Sequence, residues 1–469
     1  MPDIGPPHKE QRIELDSLGE YRVNSDALYG SNTARALENF PIADRTLRDE
    51  SALLRSMAQI KKSCVLANAE LSTVPTEISI AIASACDDVE SGALDVHFVV
   101  PLLEGSGGTS TNMNVNEVIA NRALQILGHS PGDYSIVHPN DHVNCGQSTN
   151  DVLPSALKLA CHSLAETAVD SIQRLADSLT QKSVEFGEVL RLGRTCLQDA
   201  QPMTLGQAFE GYAAVINRAA VRIEQQRARL LTIPLGGTAI GTGLGSAPGF
   251  RDAAFAHLQT ITGLKIRPSA NRFDGMQNLD ELQRLSAELE TATSTMAKIA
   301  KDLILLSSGP NGGLAEIHLP PVQPGSSIMP GKVNPVLPIT VVQLAQIVHG
   351  NHACIAMACQ DGMLEINHYE LSIASRLFDS MRRTAEIAGV FATRCIDGIE
   401  ANAERSLNHL LDSFALATIL VPKLGYKKVS QLVNDHVRTN RSFLEMAEEQ
   451  GLIDRATVLD VLKASVSSS

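Results

Sequence analysis

Tryptophan is absent from this chain, and Phe, Tyr and Trp together supply only 4% of its 469 residues. A core short of large rings must be filled by aliphatic and small side chains, a composition that favours long, closely packed helices. Proline is missing from three long stretches: between Pro154 and Pro202, between Pro268 and Pro310, and between Pro338 and Pro422. A helix can run through each of them uninterrupted. No apolar run approaches the roughly 18 residues that a membrane span needs. Basic clusters are missing too, and the net charge is −13, which argues against nucleic acid and anionic membranes as partners. The eight cysteines contain no C-x-x-C pair. A chain this long needs no disulfide staples, so reduced thiols and a cytoplasmic location are expected. The start, Met1-Pro-Asp-Ile-Gly-Pro-Pro7, has no apolar h-region, and no secretory signal is expected. No internal repeat stands out.

What is present is helical periodicity. Leu279, Leu282, Leu285, Leu289, Met296, Ile299 and Leu303 recur mostly at three- or four-residue steps, and Met203 to Leu231 reads similarly. Helices of about 30 residues would be about 45 Å long. Rods of that length bury their flanks in a bundle and often against other subunits. The length suggests two or three domains, and the fold class read from these features is all-α with a long-helix middle domain.

The most informative segment is Gly325-Ser-Ser-Ile-Met-Pro-Gly-Lys-Val-Asn-Pro-Val336. Gly and Pro make it a shaped loop, and it presents Ser326, Lys332 and Asn334 together. Such a set could hold a carboxylate and remove a proton from the carbon beside it. A phosphate-binding loop is the rival reading, but five residues separate Gly325 from Gly331, and Val333 stands where a Ser or Thr is needed. The preceding Leu319-Pro-Pro-Val-Gln-Pro324 cannot form the required strand. The glycine-rich Gly236–Gly245 run lacks dinucleotide-loop spacing and a strand before it. Three further segments are rich in small polar groups: Gly105–Asn116, His138–Asp151 and Gly193–Asp199. Each is expected just before a helix, where free backbone N–H groups favour an anion. Helix capping explains any one of them alone; three together with the loop suggest a site. No His/Asp/Glu cluster has convincing ligand spacing, so no metal and no cofactor are expected.

The motifs S-N-T-A-R-A-L-E-N-F, G-T-S-T-N-M-N, Q-S-T-N-D, G-R-T-C-L-Q-D-A and G-S-S-I-M-P-G-K-V-N-P occur in that order over nearly the whole chain. In these motifs the chain resembles the aspartase/fumarase superfamily, aspartate ammonia-lyases and class II fumarases in particular. The resemblance implies a three-domain fold: an N-terminal helical domain over 1–147, a central helix bundle over 148–403 and a small C-terminal helical domain over 404–469. It also implies a homotetramer with a 20-helix core, its active sites built from segments of three subunits. A small dicarboxylate or amino-acid substrate is implied, with Ser326 as base on a mobile loop and Lys332 and Asn334 on the carboxylate that gains charge. Thr109, Ser148 and Thr149 would hold the second carboxylate, with Asn150 and Thr195 near the leaving amine. Ser110, Cys196, Ser327, Ile328 and Met329 complete the substrate-binding set.

Gln147-Ser-Thr-Asn-Asp151 and the Gly108–Asn114 segment lean towards aspartases, and His138-Pro-Asn-Asp141 resembles the fumarase segment that forms a second, non-catalytic anion site. Departures from the family pattern include Cys196 for His and Ile339 for Glu, a pair that handles the leaving group in relatives. Gly245, Lys301, Ile304 and Asn311 also differ, and Glu365-Ile-Asn-His-Tyr-Glu370 puts His368 and Tyr369 at normally apolar places. With no base beside it in sequence, Cys196 reads as a small buried space-filler, and His368 as a structural histidine. Ammonia release from aspartate is the leading expectation. Fumarate hydration, elimination from another substituted succinate and a non-catalytic role remain alternatives.

Overall fold

The computed structural model describes residues 10–42, 45–413, 415–439 and 441–467; the first nine residues, on which the absence of a secretory signal was judged, lie outside them. The described chain is mostly helical. Its helices are α1 (Ser31–Asn39), α2 (Ser51–Glu70), α3 (Thr76–Glu90), α4 (Thr109–Ile126), α5 (Thr149–Glu185), α6 (Leu205–Arg229), α7 (Phe250–Thr262) and α8 (Arg272–Gln277). They continue as α9 (Asp280–Leu306), α10 (Val336–Gln360), α11 (Glu370–Arg394), α12 (Ala403–Leu411), α13 (Ala415–Leu424), α14 (Tyr426–Thr439), α15 (Phe443–Glu449) and α16 (Arg455–Ser467). The two periodic stretches expected over 279–303 and 203–231 are α9 and α6. The proline-free intervals hold α9, α11 and most of α5 and α10.

A reading without strands is too strict. Four two-stranded sheets interrupt the helices, the longest being the antiparallel hairpins of β1 (Gln11–Asp16) with β2 (Gly19–Asn24) and β3 (Leu190–Thr195) with β4 (Gln198–Thr204). The β3–β4 segment contains Gly193 and Pro202, residues that point away from regular structure, and its alternation is too short to stand out from a loop.

The chain divides into two compact units. One comprises the described residues up to Thr167, Arg222–Leu289 and Val348–Arg382; the other comprises Ala168–Val221, Glu290–Ile347 and the residues from Arg383 onward. In the first, α2 packs against α3 and α7, burying Leu53, Met57, Ile60, Ile82, Phe250 and Leu258. In the second, β3 and α12–α16 share a core of Leu190, Leu192, Leu410, Leu416, Phe443 and Leu462. No described helix is long and apolar enough to cross a membrane.

Candidate active site

Helix α5 is capped at its N-terminus by Ser148 and Asp151. The Asp151 carboxylate accepts from the Ser148 backbone N–H at 2.8 Å, and Ser148 Oγ accepts from the Asn150 N–H at 3.3 Å. The other Asp151 oxygen accepts from the backbone N–H groups of Gly236 and Thr238, both at 3.0 Å. The glycine-rich run therefore wraps a buried carboxylate of the protein itself. Burial pushes the Asp151 pKa up to about 6, opposed by those three N–H donors and by Lys61.

Helix α4 starts beside it. Gly107 and Gly108 have φ of +65° and +84°, values open to glycine. A Cβ on Gly108 would meet Leu153 Cδ2 at 2.2 Å and Thr149 Cγ2 at 3.4 Å. This close approach brings Thr109 and Ser110, in the first turn of α4, to the start of α5 with Ser148, Thr149 and Asn150. Asn112 Nδ2 donates to Thr149 Oγ1 at 3.2 Å, and Asn150 Nδ2 donates to the Ala239 carbonyl at 2.8 Å. The polar segments 105–116 and 138–151 do converge, as expected. The backbone N–H groups of His138, Asn140 and Asp141 are taken up by the rings of His142 and His138, leaving that turn internally satisfied.

The third segment is placed differently from the expectation. Residues 193–199 lie in the β3–β4 hairpin and precede no helix directly. Cys196 and Leu197 form its two-residue loop, with φ of +52° and +62°. Cys196 is exposed in the single chain, correcting its reading as a buried filler; a side chain at a two-residue hairpin tip has no core to enter. Thr195, the last residue of β3, is exposed as well. The hairpin is held by Glu316, fully buried, which pairs with Arg194 at 2.6 Å, Arg191 at 3.2 Å and His409 at 2.9 Å. Burial raises the Glu316 pKa, but the Arg194 hydrogen bond, Arg191 and His409 outweigh it and hold it below the usual value.

The 325–334 loop closes on itself. The Gly325 N–H donates to the Lys332 carbonyl at 2.8 Å, and Asn334 Nδ2 donates to the Gly325 carbonyl at 2.6 Å. A Cβ on Gly325 would fall 2.5 Å from the Lys332 oxygen, so the closure needs glycine. Ser326 Oγ accepts from the backbone N–H groups of Ile328, at 3.2 Å, and Met329, at 3.0 Å. Two N–H dipoles aimed at one hydroxyl oxygen favour its oxyanion form. Lys332 is exposed and has no carboxylate partner among the described residues. Ser327, Ile328 and Met329 are exposed along the same loop.

Sequence reasoning missed Lys61 and the Glu316 hub, and within the polar segments it did not single out the buried Asn112, Asn116 and Asp151 or Asn144. The Ser148-x-x-Asp151 spacing and the Asn112/Asn116 pair at i, i+4 were the available signals. Among the described residues no group of three or more His, Cys, Asp or Glu could hold a metal ion.

The sequence profile of a lyase family matches residues 19–350. An aspartate ammonia-lyase from Helicobacter pylori is 40% identical over 452 residues, covering 96% of this chain and 97% of that protein. Among solved structures, a fumarate lyase:delta crystallin from Brucella melitensis matches with a TM-score of 0.94 and 42% identity, covering 97% of this chain and 99% of that one. A class II fumarase from Schistosoma mansoni matches with a TM-score of 0.90 and 34% identity over 97% and 98% of the two chains. The motifs, the helical fold and these full-length matches agree: the chain belongs to the aspartase/fumarase superfamily of lyases.

Proposed function

We propose that this protein eliminates ammonia from aspartate to give fumarate, with Ser326 as the base. The observation that carries the mechanism is the pair of N–H donors on Ser326 Oγ, in the same loop as Lys332, which has no carboxylate partner among the described residues. The alkoxide takes the proton from the carbon beside one carboxylate. The electron pair left behind spreads onto that carboxylate, where Lys332 and Asn334 stabilise it. It then forms the C=C bond as the C–N bond breaks. Thr109, Ser148 and Thr149 hold the other carboxylate at the α4 and α5 N-termini. Asn150 donates its Nδ2 to Ala239, which leaves Oδ1 as an acceptor suited to an ammonium.

The departures at Cys196 and Ile339 favour ammonia over water as leaving group. An ammonium departs as neutral NH3 and needs no proton donor, whereas a hydroxyl leaving as water must be protonated. Isoleucine at 339 cannot serve in such a relay. Homology to aspartate ammonia-lyases at about 40% identity supports the same choice. We read the working form as a homotetramer with a 20-helix core, divided at 147/148 and 403/404 into three domains, with each site drawn from three protomers, in the cytoplasm. A second reading, elimination from another substituted succinate, is favoured by one contact: a Cβ on Gly107 would lie 3.2 Å from His368 Cβ, so His368 stands against the turn leading to Thr109.

The test is product analysis of aspartate and malate incubated separately with the purified protein. Equal amounts of ammonia and fumarate from aspartate, with malate unchanged, are expected. Fumarate from malate without ammonia from aspartate would assign a hydratase instead.

A further inference from the structure

Lys61, on α2, is fully buried, yet its ammonium faces a neutral amide rather than a carboxylate: Nζ donates to Asn144 Oδ1 at 2.8 Å. Asn112 Nδ2 and Asn116 Nδ2 donate to the same oxygen, each at 3.2 Å. Three donors thus converge on one carbonyl. Asn112 Nδ2 also reaches Thr149 Oγ1 at 3.2 Å. Buried Asn112 Oδ1 and Asn116 Oδ1 have no hydrogen-bond partner among the described residues, so their own oxygens do nothing to hold the two amides in this orientation. The ammonium can. It only donates, so Asn144 must turn its oxygen inward, and Asn112 and Asn116 must then face that oxygen with NH2. Asn112 consequently meets Thr149 as a donor and occupies a lone pair of its hydroxyl. The Thr149 O–H donates to no acceptor among the described residues and is available to a ligand.

We propose that Lys61 is a positioning residue for the substrate, locking the Asn144–Asn112–Thr149 chain so that Thr149 offers its proton to a carboxylate. The inference rests on the reading of Ser148–Thr149 as a carboxylate site. Lys61 also balances the charge of Asp151 under the α5 N-terminus. The other titratable groups facing it are thiols, Cys64 on its own helix and Cys86 on α3. Burial pushes Cys64 up to about 12 and Cys86 higher still, so both stay neutral. Burial also lowers the Lys61 pKa to about 8, against the opposing charge of Asp151. The lock therefore loosens in mildly alkaline solution, as the ammonium loses its proton.

Succinate binding, measured by calorimetry between about pH 6.5 and 9.5, tests this without turnover and without a substrate amine that titrates. Wild-type Kd should be flat to about pH 8 and rise beyond it. Lys61→Met should bind about tenfold or more weakly at pH 7 and lose the alkaline limb, with a lowered Tm because Asp151 is left without its counter-charge. Asn112→Ala should weaken binding similarly at pH 7. Unchanged Kd in Lys61→Met overturns the inference, provided Ser148→Ala weakens binding. Unchanged Kd in Ser148→Ala as well overturns the carboxylate-site reading itself. Weak binding in Lys61→Met with no effect of Asn112→Ala makes Lys61 merely structural and also overturns it.

Discussion

At the scale of single residues, the chemistry turns on which donors are spent and which are free. Asn334 has one Nδ2 hydrogen committed to the Gly325 carbonyl, which fixes its amide and leaves the other hydrogen for substrate. Lys332 has no protein counter-ion among the described residues and supplies a whole charge. Its contribution should therefore be greatest where negative charge develops. Lys332→Met should lower kcat about 10²–10³-fold in steady-state assays with aspartate. A variant that raised KM alone would assign Lys332 to ground-state binding. Ser326, Lys332 and Asn334 were legible from sequence because all three fall in one short loop. Lys61 was not, because a lysine within a helix gives no sign of burial, and its hydrogen-bond partner Asn144 lies 83 positions away in the chain.

At the scale of elements, two features carry predictions. The Cys196-Leu197 turn holds two non-glycine residues at positive φ, each costing about 1–2 kcal/mol relative to a relaxed conformation. Replacing the pair by Asn-Gly, the preferred sequence for such a turn, should raise stability by about 1–2 kcal/mol in urea unfolding. No gain would mean that the turn is not of this type in solution. Glu316 joins β3 to α12 through Arg191, Arg194 and His409. Glu316→Ala strands two guanidinium groups and should cost about 3–5 kcal/mol. Because the folded pKa of Glu316 is depressed, its stabilisation is present above its unfolded pKa and is lost as pH falls through the folded one. The wild type should therefore lose this stability in acid, and the Glu316→Ala variant should show a shallower acid loss. Equal acid slopes would contradict the assignment. Long helices were legible as periodic aliphatic stretches. The short hairpins were not, since strands of six or seven residues leave little period to read.

At the scale of the whole molecule, the resemblance carried what residue patterns could not. Composition and periodicity lead to a helical chain with long rods, and the structure agrees. Nothing in the spacing of Thr109, Thr149, Thr195 and Ser326 joins them in the one reaction we propose for them. The motif order and the full-length similarity to lyases provide that link. Within the described chain, α4 and α5 bring Thr109 and Thr149 together through the Gly108 approach. Thr195 sits instead at the end of β3, beside the hairpin turn, and in the homotetramer we propose it would complete a site on another protomer. Sedimentation of the purified protein should accordingly give four times the 50.2 kDa chain mass, and a monomer with full activity would remove the need for shared sites. The account depends most on Ser326 as the base. Turnover of aspartate by Ser326→Ala, read as ammonia released, should fall about 10²–10⁴-fold while succinate binding stays within about threefold of wild type. Ammonia release within about threefold of wild type would contradict it.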